Sequence, residues 1–192
     1  MQQQNIKNII TQSIATKTRL LQDSTLLDTI EKAANLLIQT FQNDGKVLFC
    51  GNGGSAADAQ HLACELSGRF LMERPPLFAE ALHVNSSFMT AVANDYDFET
   101  VYARALEACG RKGDCLVAIS TSGNSPNILR AIDKAKELNI NIIGLTGESG
   151  GKMADLCDLL INVPSQHTPR VQEAHIMVGH ILCELVEKGI FS

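Results

Sequence analysis

Between Cys50 and Glu65 the chain reads CGNGGSAADAQHLACE, a stretch whose residue types can grip a phosphate and move a proton. Gly51, Asn52, Gly53 and Gly54 make a turn that no bulky side chain obstructs, so the main chain can approach a ligand closely. Ser55 is placed to cap a helix beginning at Ala56, whose first turn presents unpaired N–H groups and a positive dipole end to an anion. Further along that helix His61 and Glu65 stand four residues apart and share a face. A second junction, Ser120-Thr121-Ser122-Gly123-Asn124-Ser125, carries four hydroxyls and runs into Pro126, a residue favoured at the first helical position. Hydroxyls beside free main-chain N–H groups form a neutral cradle that holds a phosphate dianion without lysine. Ser125 alone would be an ordinary cap, but four hydroxyls in six residues exceed what capping needs.

Near the C-terminus come Gln172, Glu173, His175 and His180. Gln172 and His180 are eight residues apart, a little over two helical turns, and fall within roughly 80° of one face. A single histidine in an apolar helix is more often a core or surface residue than a catalyst, and His180 lies among Val178, Ile181 and Leu182. Composition and periodicity leave that choice open. A phosphate anchor beside a titratable pair is the layout of an enzyme acting on a small phosphorylated molecule. Gly51, Gly53 and Ala56 also match the dinucleotide fingerprint, which needs an acidic residue about 20 positions on, at the end of the second strand. Asn85, Ser86 and Ser87 follow the next strand candidate and Glu73 precedes it, which argues against a nicotinamide enzyme.

The elements that position these residues follow from periodicity. Apolar runs at Val47–Cys50, Ala79–Val84, Cys115–Ile119, Ile140–Leu145 and Leu159–Val163 predict five buried strands. Helical patterns lie between them, from Ser55 onward, at 87–92, at 101–109 and at 127–138, with a short helix near Met153 and a last one from Arg170 to Lys188. Alternation of this kind predicts an α/β fold with a parallel sheet covered on both faces. Two helices lead the chain, the first to about residue 22 and the second from Leu26 to Gln42, with Thr25 and Asp28 resembling a capping box. Their wide apolar faces serve either a subunit interface or intramolecular packing. At 192 residues the chain fits one domain.

Sixteen basic against 21 acidic residues, a net charge of −5 without a basic cluster, speak against nucleic acid and anionic membrane as partners. None of the six cysteines has C-x-x-C spacing, so neither a zinc knuckle nor a redox pair is indicated. Cys50, Cys64, Cys115 and Cys183 sit in apolar segments, where free cysteine behaves as a small hydrophobe. With no secretory leader pattern and no apolar run long enough to span a bilayer, the expectation is a cytoplasmic, reduced protein.

Taken together, CGNGGSAADAQHLACELSGRF, AVANDYDFE, AISTSGNSPNILRAI, LTGESGGKMADLCD and RVQEAHIMVGHILCELVE resemble the phosphoheptose (sedoheptulose 7-phosphate) isomerases of the sugar-isomerase (SIS) domain superfamily. The resemblance spans almost the whole chain. It implies a SIS-type three-layer sandwich, a single domain over residues 1–192, and a cytoplasmic homotetramer built on residues 1–44 with active sites between subunits. It also implies that Glu65 and His180 are the acid/base pair of an aldose–ketose isomerase in lipopolysaccharide heptose biosynthesis. By the same likeness Ser120, Thr121, Ser122 and Ser125 hold the phosphate. Asn52, Gly53, Gly54, Ser55, Asn94, Asp95 and Gln172 line the sugar, and Glu65 also contacts it. Some family members bind zinc at positions matching His61, Glu65, Gln172 and His180, so one Zn²⁺ per subunit is expected. His61 and Glu65 suit two ligands from one helix face, whereas Gln is an unusual ligand. Glu65 as a tight ligand and Glu65 as a free base conflict, and the sequence does not choose. The chain departs from the pattern at Pro169, where some relatives carry a substrate-holding aspartate. The rival reading from another class is a non-catalytic SIS protein: an adaptor resembling the initiator-associating proteins that bind DnaA, or a sugar-phosphate sensor. Neither needs both Glu65 and His180.

Overall fold

The computed structural model describes residues 1–192 and contains five parallel strands: β1 (Val47–Gly51), β2 (Ala79–Ala81), β3 (Cys115–Ile119), β4 (Asn141–Thr146) and β5 (Leu159–Asn162). Their order is β2-β1-β3-β4-β5, with Val47 opposite both Ala79 and Cys115. β1 and β3 are buried along their whole length because helices cover both faces of the sheet, which is why they read as unbroken apolar runs. The second strand closes at Ala81, shorter than the expected 79–84. Leu82 still bonds Phe49, but Val84 turns back to Ala81.

Seven α-helices complete the chain: α1 (Gln2–Gln22), α2 (Ser24–Gln42), α3 (Gly54–Ser67), α4 (Ser86–Asp95), α5 (Val101–Cys109), α6 (Pro126–Glu137) and α7 (Thr168–Phe191). One side of the sheet packs α2, α3 and α7 through Leu37, Leu62, Leu66, Val178 and Val186. The other packs α5 and α6 through Val101, Leu106, Ile128 and Ile132. The segment near Met153 is a single 3-10 turn, Gly151–Asp155. Asp114 ties the feet of the two central strands together, since its carboxylate accepts from the Lys46 and Arg111 N–H groups and from Lys46 Nζ at 2.6 Å.

Two expected caps are replaced. Asp23 rather than the Thr25/Asp28 pair caps α2, accepting from the Leu26 N–H at 3.0 Å. Gly53, with φ +56°, rather than Ser55 occupies the cap of α3, so the helix starts a residue or two earlier and Ser55 is buried in its first turn. The glycine is required there, because a left-handed φ is costly for other residues. The two leading helices part company in role. Leu26, Ile30, Ala33, Ala34 and Leu37 of α2 are buried within the chain, while Ile6, Ile9, Ile10, Ile14 and Leu21 of α1 are exposed.

Candidate active site

In a doubly wound sheet the ligand crevice opens at the carboxyl ends of the strands where the winding reverses. Here that place lies between β1 and β3, and the loops leaving those two strands are the glycine turn and the hydroxyl loop. A reciprocal amide pair joins them: Asn52 Nδ2 donates to Asn127 Oδ1, and Asn127 Nδ2 to Asn52 Oδ1, both at 2.8 Å. Asn127 follows Pro126 at the start of α6 and is buried, so this clamp holds the starts of α3 and α6 side by side.

The hydroxyl loop is shaped by its own main chain. Gly123 (φ +65°) donates to the Ser120 carbonyl and lies so close to Gly150 that no Cβ fits between them. Ser125 does not cap α6 with its side chain; its Oγ lies 3.1 Å from that of Ser120. The N–H groups of Thr121, Ser122 and Ser125 donate to no main-chain carbonyl, leaving them free at the start of a helix. Ser122 is exposed; its hydroxyl accepts the Asn124 N–H at 3.2 Å, and its carbonyl the Asn124 side-chain amide at 2.9 Å. Free N–H donors and hydroxyls beside a helix N-terminus suit an anion.

The titratable residues form a second group further down α3. His61 Nε2 is 2.9 Å from His180 Nε2 and 3.2 Å from Glu65 Oε1, and the ligand atoms of all three lie within 4.8 Å of one another. Gly179 makes this meeting possible, because a Cβ there would stand 2.5 Å from both Leu62 methyls where α7 crosses α3. The Phe70 ring stacks on His180 at 5.4 Å. Asp58, one turn before His61, is part-buried with Oδ2 unpartnered; burial raises its pKa, against the pull of His61. A His61 nitrogen about 3 Å from both a His180 nitrogen and a Glu65 oxygen, with all three within 4.8 Å, is a donor set that suits zinc, whose bonds are roughly 2.0–2.1 Å.

The SIS domain family model matches residues 11–147. The phosphoheptose isomerase of Mycobacterium tuberculosis is 53% identical over 186 residues, covering 97% of this chain and 95% of the relative. That of Rhodospirillum rubrum is 57% identical over 163 residues, 85% of this chain and 87% of the relative. The structure of phosphoheptose isomerase from Neisseria gonorrhoeae superposes with a TM-score of 0.92 at 42% identity, covering 98% of this chain and all of that one. The chain belongs to the phosphoheptose isomerase family of SIS-domain proteins.

As a phosphoheptose isomerase family member, a sugar-phosphate isomerase, the chain has its expected site residues in three places. Asn52, Gly53, Gly54, Ser55, Ser120, Thr121, Ser122 and Ser125 lie on the loops and helix starts at the sheet edge. His61, Glu65 and His180 form the knot between α3 and α7. Gln172, expected both to line the sugar and to join His180 at a metal, lays its amide over Gly54, where Nε2 is 2.5 Å from the position a Cβ would take. The rise from Gln172 to His180 is about 12 Å, so the amide must leave Gly54 before it can share a metal with the knot. Asn94 and Asp95 end α4 exposed and bonded to each other at 2.9 Å, with no hydrogen bond to either group. Pro169 sits in the first turn of α7, where a proline is tolerated and no carboxylate is supplied.

Several residues around the site escaped the sequence reading. Asn127 was legible only as a polar residue after a helix-starting proline. Phe70, Arg74 and Glu187 carried no motif, although Glu187 lies seven residues after His180, two turns along the same face. Cys64, expected to be a buried hydrophobe, is exposed on α3.

Proposed function

We propose that this chain interconverts sedoheptulose 7-phosphate and D-glycero-D-manno-heptose 7-phosphate, the entry step to lipopolysaccharide heptose. The observation that carries the reading is the meeting of Glu65, His61 and His180, from two helices and distant in sequence, within 4.8 Å. In the ketose-to-aldose direction Glu65 takes a proton from C1, the C2 oxygen gains one, and an enediol forms. Glu65 then returns its proton to C2 as the C1 hydroxyl gives up its own and becomes the aldehyde. His180 moves the proton between the two sugar oxygens and assists ring opening. General acid/base groups of this kind contribute roughly 10² to 10⁴ in rate.

The hydroxyl loop holds the phosphate, with the glycine turn and Gln172 against the sugar. Asn94 and Asp95 join it once substrate is bound. His61, Glu65 and His180 would hold one zinc, with Gln172 as fourth ligand after its amide leaves Gly54. The chemistry a zinc held there would supply is polarisation of the sugar oxygens and compensation of negative charge developing on them.

Along α3 the rise from Gly54 to Glu65 is about 16 Å, so cradle and knot occupy opposite ends of one helix. This separation supports a homotetramer whose active sites lie between subunits, the cradle of one copy facing the knot of another. The exposed isoleucine face of α1 is the surface on which it assembles.

Incubation with sedoheptulose 7-phosphate, followed by NMR of the aldose, tests the reaction. Glu65→Gln should lower kcat by about 100-fold or more with the circular dichroism spectrum unchanged. Near-normal turnover removes Glu65 from the mechanism. No conversion by the native protein, with or without zinc, returns the reading to a non-catalytic adaptor or sensor.

A further inference from the structure

Arg74 and Glu187 form an ion pair at the foot of the knot, each side chain only 1% exposed. Two charges so deep need their hydrogen-bonding capacity met, since desolvation offsets their mutual attraction. Here it is met. Arg74 Nε donates to Glu187 Oε1 at 2.8 Å, Nη2 to the Glu65 carbonyl at 2.9 Å, and Nη1 to the carbonyls of Leu66, Gly68 and Pro75. The carbonyls of Glu65 and Leu66 belong to the last turn of α3, which leaves its final C=O groups without helical partners and carries the negative dipole end. Arg74 therefore caps the helix that presents His61 and Glu65.

Glu187 does the matching work from α7. Its Oε1 accepts the Phe70 N–H at 2.9 Å, and its Oε2 those of Leu71 at 2.8 Å and Met72 at 3.0 Å. Burial would raise the Glu187 pKa, but these three N–H donors and Arg74 outweigh it and hold the carboxyl below its usual range. The consequence reaches the site through Phe70, whose main chain Glu187 fixes and whose ring stacks on His180. One buried pair thus grips the end of the helix bearing Glu65 and the backing of the imidazole opposite it.

The geometry points to Arg74 and Glu187 as positioning residues for the isomerisation, setting Glu65 against His180 from behind. The inference rests on the proposed roles of those two residues. It separates from the phosphate cradle, which lies at the far end of α3. A displacement on the order of 1 Å at reacting groups costs up to roughly 100-fold in rate, so the pair's removal should appear in kcat and not in KM.

Removing one partner strands a buried charge and threatens folding, whereas replacing both with neutral residues of similar size is often tolerated. The test is therefore the double variant Arg74→Met/Glu187→Gln beside Phe70→Leu. Activity is read alongside NMR of the histidine-ring protons in the metal-free protein. Phe70→Leu removes the ring current and moves the His180 ring protons downfield. The folded double variant should move the same resonances the same way and lose kcat about tenfold or more with KM within twofold. A folded double variant with native kcat and unmoved His180 resonances overturns the inference, as does lost kcat with those resonances in place. If the double variant does not fold, Phe70→Leu decides: native kcat despite displaced resonances overturns the link through Phe70. Failure of the base assignment reads differently, because Glu65→Gln would then turn over normally while the resonance shifts persisted.

Discussion

Glu65 and His175 are both polar residues on apolar helices, and their surroundings set them apart. Glu65 is part-exposed beside two imidazoles, whereas His175 is 1% exposed with Nε2 donating to the Thr146 carbonyl at 3.0 Å and Nδ1 unpartnered. Burial pushes the His175 pKa down to about 4, although the Thr146 bond opposes it. The histidine is thus neutral when folded and takes up a proton more readily when unfolded. Since the unfolded state binds more protons between the two pKa values, stability falls as pH drops from about 6.5 toward 4, by about 3 kcal/mol in all. Urea midpoints at pH 7 and 4.5 should show this, and His175→Gln should flatten the difference. At the cradle, Ser122→Ala removes a hydroxyl and leaves the N–H groups, so KM should rise with kcat nearly unchanged. An unchanged KM would count against a phosphate held there.

At the scale of elements, the meeting of α3 with α7 decides whether there is a knot at all. Gly179 permits the close crossing on Leu62, and Gly179→Val would force the helices apart. Overpacking of this kind costs typically 1–3 kcal/mol. The variant's urea midpoint should fall accordingly, and its turnover should fall further than stability explains, because His180 is the next residue. The strands were legible because burial on both faces demands unbroken apolar runs, and four of the five expected runs end within a residue of their observed limits. The second was overextended because Leu82, just past the strand's last residue, is still buried and still bonds Phe49. Caps were read less well, since Asp23 and Gly53 compete with nearby Thr25 and Ser55 on main-chain conformation rather than residue type.

For the whole molecule, the isoleucines of α1 are left uncovered, with Ile6, Ile9, Ile10 and Ile14 each more than half exposed. An apolar face of this kind marks an interaction surface. Ile6→Glu/Ile10→Glu should leave the secondary structure intact and lower the mass measured by light scattering. Activity should fall with it if active sites span subunits. A full-sized assembly from that variant would move the interface elsewhere. No helix of the chain is long and apolar enough to cross a membrane.

The sequence by itself determined the five strands, the helices between them, the two loops at the sheet edge and the family. These depend on local periodicity, turn chemistry and short motifs, which neighbouring residues carry among themselves. Only the tertiary structure brought His61 and Glu65 to His180, 119 residues on from His61, set Gln172 over Gly54, and closed Arg74 on Glu187 beneath them. Those pairings follow from how closely α7 packs on α3 at Gly179, a distance that no stretch of either helix encodes alone.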